Sequence, residues 1–142
     1  MPYEGHRFDH SDGKYRFPDA LHEEAPPPEN FPIRLLTLIR RDAMHSQISP
    51  DAQPDVPILE ISGDCTALGT IDPMRDVDLV SPNGRLRVVL EQCPGLHPET
   101  AILRRGGWLS RGGCGNRIIA GRVTDMGDGA AYYEQYVRLE NG

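Results

Sequence analysis

The sequence predicts a mainly β protein, a small closed or nearly closed β-barrel with about two short helical turns. Three observations predict this class. Glycine (15) and proline (13) together make up 28 of the 142 residues, so one residue in five interrupts regular structure. Roughly six short apolar segments with turn signals between them are typical of strands in small barrels. No stretch has the periodicity of a long amphipathic helix.

The first 30 residues are the least foldable part of the chain. They contain two short polar stretches around Phe8 and Phe17, followed by three consecutive prolines. Consecutive prolines remove backbone donors and impose an extended path. We therefore expect an extended N-terminal arm over residues 1–30 and one barrel domain over residues 31–142.

The first predicted strand lies within residues 32–39, PIRLLTLI, a short apolar run. A polar connection leads to the second predicted strand at residues 56–61. After it, Asp64 is expected to cap a single helical turn over residues 65–68, which Gly69 would end.

The clearest hairpin signal follows, where predicted strands at 78–80 and 85–91 flank the turn sequence SPNG. Leucine and valine alternate with arginine along the second of these strands, as in a half-buried strand. Pro94-Gly95 marks a further turn, and residues 100–103 form the next predicted strand.

The last segment, residues 130–140, could form a strand or a helix. Its Tyr and Val content favours a strand. Tyr133, Val137 and Leu139 fit one face of that strand, which the polar Gln135 interrupts.

The charge balance argues against a general nucleic-acid binder. The net charge is −6 at pH 7, whereas such proteins need a basic surface. The arginines are unevenly distributed, however, because residues 100–124 hold five of them and no carboxylate. Arginine pairs bidentately with phosphate or carboxylate, so a local anion site is plausible, and solvated loop charges are the alternative.

Several site classes find no support in the sequence. No apolar run reaches the roughly 18 residues of a membrane helix, and the N-terminus has no signal-peptide core, so no direct membrane insertion is expected. Cys65, Cys93 and Cys114 include no Cys-x-x-Cys pair, and no histidine spacing suggests a metal site. We expect inert thiols and no metal ligand from the protein.

Two stretches could bind a ligand. Residues 37–47 put hydroxyl, guanidinium, imidazole and amide groups directly after a predicted strand, a composition that suits phosphate and heterocycle recognition. Residues 104–122 are dense in glycine, which lets the backbone approach a bulky ligand and exposes its N–H donors. The alternative reading is a pair of ordinary polar loops that close the barrel.

Six segments taken in order carry a resemblance to a known family. They are SDGKYRFP at 11–18, FPIRLLTLIRRDAMHSQ at 31–47, VPILEISGDCTALGTID at 56–72, SPNGRLRVVLE at 81–91, PGLHPETAILRRGGW at 94–108 and GGCGNRIIAGRVTDMGDGAAYYEQYVRLE at 112–140. Together they resemble the C-terminal domain of the molybdopterin oxidoreductases of the dimethyl sulfoxide reductase family. One departure is the Asp76-Val77-Asp78 sequence, where the family commonly has Asp-Gly-Asp.

The resemblance implies a double-psi β-barrel, of the aspartate-decarboxylase-like type, that closes over molybdopterin guanine dinucleotide. Carried over by position, the cofactor contacts would be Thr37, Arg40, His45, Ser46, Gln47, Asn116 and Tyr133. Their chemistry adds Arg111 and Arg117 as weaker candidates for contact with the anionic cofactor. The family's molybdenum or tungsten is held by the pterin dithiolenes, and its other metal ligands lie in earlier domains, so no catalytic residue is expected here.

We therefore expect a cofactor-binding domain, or a small subunit, whose partners are the remaining catalytic domains or a large subunit, and which is inactive alone. A cytoplasmic location is favoured, and a periplasmic one would need an export signal elsewhere in the full protein or on a partner. The alternative is a double-psi barrel that recognises a partner or substrate without any cofactor. A small independent enzyme using His45 as acid or base is a third, weaker reading.

Overall fold

A computed structural model describes residues 4–17, 19–20, 26–44, 47–72, 74–123, 129–131, 133 and 135–142. Six strands close into a barrel in the spatial order β1-β5-β2-β4-β3-β6. The strands are Ile33–Leu36 (β1), Ile58–Ile61 (β2), Val77–Ser81 (β3), Gly84–Gln92 (β4), Thr100–Leu103 (β5) and Gln135–Asn141 (β6). The helical elements of the described residues are short 3₁₀ turns at Glu4–His6, Pro50–Ala52, Thr66–Thr70, Leu109–Arg111 and Gly115–Arg117. The predicted mainly β barrel is confirmed.

Two strand pairs are parallel within this otherwise antiparallel barrel. β1 runs parallel to β5, with Leu36 opposite Ile102, and β2 runs parallel to β4, with Ile61 opposite Gln92. The remaining neighbours pair antiparallel. Because the barrel is closed, every strand has two neighbours and no edge is left for pairing with another chain. Parallel pairs need long connections, and these connections supply the loops at the barrel ends.

The core fills the barrel interior with alternate side chains from each strand. Leu35, Leu59, Ile61, Leu79 and Val137 are fully buried there. Period-two alternation is what sends these residues inward while their neighbours face outward. The barrel is therefore packed through its centre, and ligand-sized space lies at its ends and outer surface.

All six predicted strands are found, several of them with shorter or shifted ends. The hairpin around SPNG forms between β3 and β4, and the predicted strand at 100–103 coincides with β5. The last segment is a strand, as its Tyr and Val content predicts. Gln135 does not interrupt it, because this residue is buried on the same face as Val137 and Leu139.

The predicted cap at Asp64 is wrong. The turn after β2 is a 3₁₀ helix over Thr66–Thr70 that begins after Cys65, and no side chain caps it. The backbone N–H of Asp64 instead donates to Ser62 Oγ at 3.2 Å. Gly69 does not end the turn, since it lies inside it. Asp64 therefore lies one residue before the N-cap position, which Cys65 occupies.

The described part of the first 30 residues has no buried residue. A tight loop brings the Phe8 N–H onto the Gly13 carbonyl at 3.0 Å, and Tyr15 stacks edge-on against both Phe8 and Phe17. The aromatic contacts are therefore made within this segment. Among the described residues, no helix has the length and apolar character to cross a membrane.

Candidate functional site

A cavity opens where the carboxyl ends of β1 and β5 meet. Thr37 directly follows β1, and Arg104 directly follows β5. Because the two strands are parallel and in register, the residues after them lie at the same end of the barrel. The Arg105 N–H donates to the Leu38 carbonyl at 2.8 Å and extends this pairing by one step.

The cavity has a volume of about 520 Å³. Its lining combines one hydroxyl, one amide, two guanidinium groups and glycine backbone, and its residues are Thr37, Leu103, Arg104, Arg105, Gly106, Gly107, Cys114, Gly115, Asn116 and Ile119. A second compartment of about 200 Å³ shares Asn116 and Ile119 with it. Its remaining lining consists of small residues and one further guanidinium group, from Ala120, Gly121, Arg122, Ala130 and Ala131. The two spaces adjoin at Asn116 and Ile119, and together they are called the groove below.

Glycine residues allow the backbone segments around the cavity to approach each other closely. A Cβ atom on Gly107 would lie 2.6 Å from the Gly113 carbonyl oxygen, well inside contact distance. A Cβ atom on Gly115 would come within 3.1 Å of Leu103 Cδ2. Gly106 adopts φ 101°, a conformation that favours glycine. This part of the loop therefore requires glycine for packing and for backbone geometry.

The two arginines of the cavity have different partners. Arg104 forms a bidentate pair with Glu60, with Nε–Oε1 at 2.6 Å and Nη2–Oε2 at 3.0 Å. The hydrogen bond to Glu60 raises the pKa of Arg104 and fixes its charge against that carboxylate. Arg105 donates from Nη2 to the Tyr133 hydroxyl at 3.0 Å, and its guanidinium carbon lies 5.7 Å from the Tyr133 ring centroid.

Three of the residues expected from the sequence lie at or next to this cavity. Thr37 is 1% exposed and lines it, and the exposed side chain of Asn116 lines both compartments. Tyr133 contacts the cavity residue Arg105. Arg117 shares the 3₁₀ turn of Asn116, and its side chain is exposed.

The other expected residues lie elsewhere. Arg40 lines a separate groove of about 460 Å³, where its Nε donates to Asp42 at 3.3 Å, and that groove shares Arg104 with the main cavity. Arg111 donates to the Pro50 carbonyl at 3.0 Å and is not among the residues that line the cavity. Gln47 is exposed, with its N–H on the Met44 carbonyl. His45 and Ser46 fall outside the described residues.

The arginines nearest the cavity, Arg104 and Arg105, were missed as individual site residues. They belong to the candidate stretch 104–122, but that stretch offered five arginines and no way to rank them. The signal that could have ranked them is their position directly after a strand parallel to β1, the strand that Thr37 follows, and parallel pairing cannot be read from one sequence.

The cavity chemistry suits binding more than acid–base catalysis. None of its lining residues is Asp, Glu or His. Guanidinium and exposed glycine N–H groups attract anions, and amide and hydroxyl groups recognise a heterocycle edge. In the part of the chain that the structure describes, no group of three or more His, Cys, Asp or Glu residues could hold a metal ion.

No protein-family model matches the sequence, and no curated protein matches it either. Among solved structures, the chain is similar to part of acetylene hydratase from Pelobacter acetylenicus, with a TM-score of 0.61 and 15% sequence identity. The match covers 79% of this chain and 18% of the hydratase chain. This likeness shows a shared barrel fold, and the present chain spans only a small part of the length of that enzyme.

Proposed function

We propose that this chain is a cofactor-binding domain or small subunit of a molybdenum or tungsten oxidoreductase, and that its groove binds molybdopterin guanine dinucleotide. The observation that carries this proposal is the convergence of Thr37, Arg105 and Asn116 with glycine backbone at the carboxyl ends of two parallel strands. The cofactor is inferred from the family resemblance of the six ordered sequence segments, and the polar groups that line the groove fit it.

The groove fits a large anionic heterocyclic ligand in two respects. Its two compartments have volumes of about 520 and 200 Å³ and meet at Asn116, whose amide can donate to and accept from a heterocycle edge. Arg105 supplies a planar fork for a phosphate oxygen. When bound, the cofactor supplies the redox chemistry, and the chain's residues bind and orient it.

The chain is expected to work with further domains. The fold match to a fraction of a much longer enzyme supports the reading of this barrel as one unit of a larger assembly. The remaining catalytic domains would cover the open side of the groove, as part of the same polypeptide or as a large subunit. By itself the chain is expected to turn over no substrate.

Binding of guanosine diphosphate, as a fragment of the cofactor, tests the proposal on the 142-residue chain. Addition of the nucleotide should shift the backbone amide resonances of Thr37, Arg105 and Asn116. Arg105→Ala should weaken binding about 10- to 150-fold, since a charge-assisted hydrogen bond is worth ~1.5–3 kcal/mol. Arg111→Ala is the matched control, because Arg111 bonds to the Pro50 carbonyl outside the groove.

Two outcomes would contradict the proposal. One is a set of shifts confined to the groove around Arg40 and Asp42. The other is equal weakening by Arg105→Ala and Arg111→Ala, which would indicate nonspecific charge attraction.

A barrel that recognises a partner or substrate without cofactor is the second candidate. The position of Arg40 favours it, because Arg40 and Asn116 line different cavities and Arg40 is paired with Asp42. Under this reading guanosine diphosphate should leave the Thr37 and Asn116 amides unchanged at millimolar concentration.

A further inference from the structure

Residues 108–113, here called the glycine loop, connect the two walls of the cavity. Hydrogen bonds to residues 48–53 hold this loop from outside the cavity. One wall, Arg105–Gly107, leads into Trp108, and the other, Cys114–Asn116, follows Gly113. The Trp108 backbone N–H donates to Gln53 Oε1 at 2.5 Å, and the Trp108 indole donates to the Ile48 carbonyl at 2.7 Å. The entry to the loop is thereby fixed to this neighbouring segment.

The same glutamine contacts the exit of the loop. A Cβ atom on Gly113 would lie 2.8 Å from Gln53 Nε2, so the Gly113 backbone packs directly on the amide. Gly107 and Gly113 also touch each other, as the 2.6 Å approach described above shows. One carboxamide and two glycines therefore meet where the two cavity walls come together.

Gln53 does this at a cost in hydrogen bonding. The residue is 8% exposed, and its Nε2 is buried with no hydrogen-bond partner within the described residues. A buried amide donor without a partner is destabilising and rare in folded proteins. Its Oε1 is nevertheless the acceptor for the Trp108 N–H, which an apolar side chain of similar size would leave without this partner.

We propose that Gln53 is a positioning residue for the groove: its carboxamide holds both ends of the glycine loop and so sets the width of the ligand cavity. The inference deepens the proposed function and rests on it for the identity of the ligand. The contacts that define the loop geometry stand independently of any ligand.

The single tryptophan of the chain provides the readout. Trp108 is 41% exposed, and its emission reports the position of the loop entry. Gln53→Leu removes the acceptor and the unpartnered donor together. It should shift the Trp108 emission maximum to longer wavelength and weaken guanosine diphosphate binding roughly tenfold, since small misplacements in a positioned site have large effects.

Gln53→Glu is the conservative variant, because it keeps an acceptor for the Trp108 N–H. It should retain an emission maximum and an affinity closer to the original than Gln53→Leu does. Arg75→Ala is the control: its side chain is 64% exposed and pairs with Asp72, outside both the loop and residues 48–53. It should change neither the emission nor the affinity.

Hydrogen exchange on the unmodified chain keeps the inference testable if Gln53→Leu fails to fold. The Trp108 amide should be protected relative to exposed loop amides, and the Gln53 side-chain amide resonances should shift when guanosine diphosphate is added. A Trp108 amide that exchanges as fast as an exposed loop amide would overturn the inference, as would a folded Gln53→Leu protein with unchanged emission. If the unmodified chain binds no guanosine diphosphate while the emission and exchange results hold, the ligand assignment fails and the positioning role of Gln53 stands.

Discussion

Asp78 is a carboxylate held against the outer face of β3 by two arginines. It is 4% exposed, and it accepts from Arg87 Nε at 2.6 Å and from Arg85 Nη1 at 2.9 Å. Burial opposes its ionisation, but the hydrogen bonds from Arg87 and Arg85 prevail, so the pKa of Asp78 lies below its ordinary value of 3.8. A lowered pKa in the folded state means that the ionised form stabilises the fold.

Loss of this carboxylate should make stability less dependent on acid pH. The contribution of Asp78 is complete above the unfolded pKa near 3.8 and is lost as the pH falls through the lower, folded pKa. Asp78→Asn should reduce the free energy of unfolding at pH 7 by about 1–3 kcal/mol. Urea unfolding between pH 7 and pH 2 would check this, and the variant should show a flatter profile below pH 4.

Asp76→Asn is the control for that experiment. Asp76 also pairs with Arg87, but its side chain is 71% exposed. Exposed ion pairs contribute little, so the change should be smaller than for Asp78→Asn. Equal effects of the two substitutions would indicate that burial of Asp78 is irrelevant.

Gln135 is a polar residue in the barrel interior that organises the second compartment. Its Oε1 accepts from the Ala120 N–H at 2.7 Å, and its Nε2 donates to the Ala131 carbonyl at 3.2 Å. Ala120 and Ala131 both line that compartment. The side-chain amide of Gln135 therefore satisfies backbone groups of Ala120 and Ala131, which lie outside the six strands of the barrel.

Gln135→Leu should destabilise the protein by about 1–3 kcal/mol, because it leaves the Ala120 N–H without its buried acceptor. Chemical denaturation would measure the loss, and amide shifts should concentrate around Ala120 and Ala131. Gln135→Glu keeps the acceptor and should retain the Ala120 amide shift better. Shifts spread evenly over the barrel would contradict this local role.

At the scale of elements, local chemistry predicts where strands occur better than where they end. The SPNG turn and the alternation after it are local signals, and β3 and β4 form there. The cap expected at Asp64 fails because the turn begins one residue later, after Cys65, and such ends are the least predictable part of an element. Gln135 looked like an interruption because its hydrogen-bond partners come from residues 15 and 4 positions away.

Gly84 shows how one element positions another. A Cβ atom on this first residue of β4 would lie 2.5 Å from the Arg117 carbonyl oxygen, so the hairpin packs directly on the turn that carries Asn116. Gly84→Ala should cost about 1–3 kcal/mol of stability, as other forced overpacking does, and should move the Asn116 amide resonance. Gly121→Ala is the matched control, since its Cβ would meet nothing within 4 Å. Equal decreases in melting temperature in the two variants would contradict the close approach of Gly84 to the Arg117 carbonyl.

At the scale of the whole molecule, the closed barrel follows from the number and spacing of short strands, but its pairing does not. The parallel pair β1–β5 joins residues about 66 positions apart, with Arg34 opposite Thr100. That pairing brings Thr37 beside Arg105 and leaves Arg40 in another groove. Residue types thus indicated the chemistry of the site, while long-range register selected which residues share it.

The boundary between arm and barrel remains a prediction that deletion would test. The described residues before Phe31 are not buried, and the backbone hydrogen bonds within residues 8–13 join residues of the arm to one another. Phe31 belongs with the barrel, because the Arg138 guanidinium carbon lies 4.8 Å from its ring centroid. The boundary therefore falls most naturally just before Phe31.

Deletion of residues 1–30 should change the free energy of unfolding by less than about 1 kcal/mol, because tolerance to truncation follows the burial and hydrogen bonding of what is removed. Deletion of residues 1–33 is the control: it also removes Ile33, which is 2% exposed and pairs with Val137, and should cost about 2–5 kcal/mol, as other losses of a buried isoleucine do. Urea unfolding of the two truncated chains would measure both. A loss of several kcal/mol in the shorter deletion would mean that the arm is part of the folded domain, and the domain boundary would have to move towards the N-terminus.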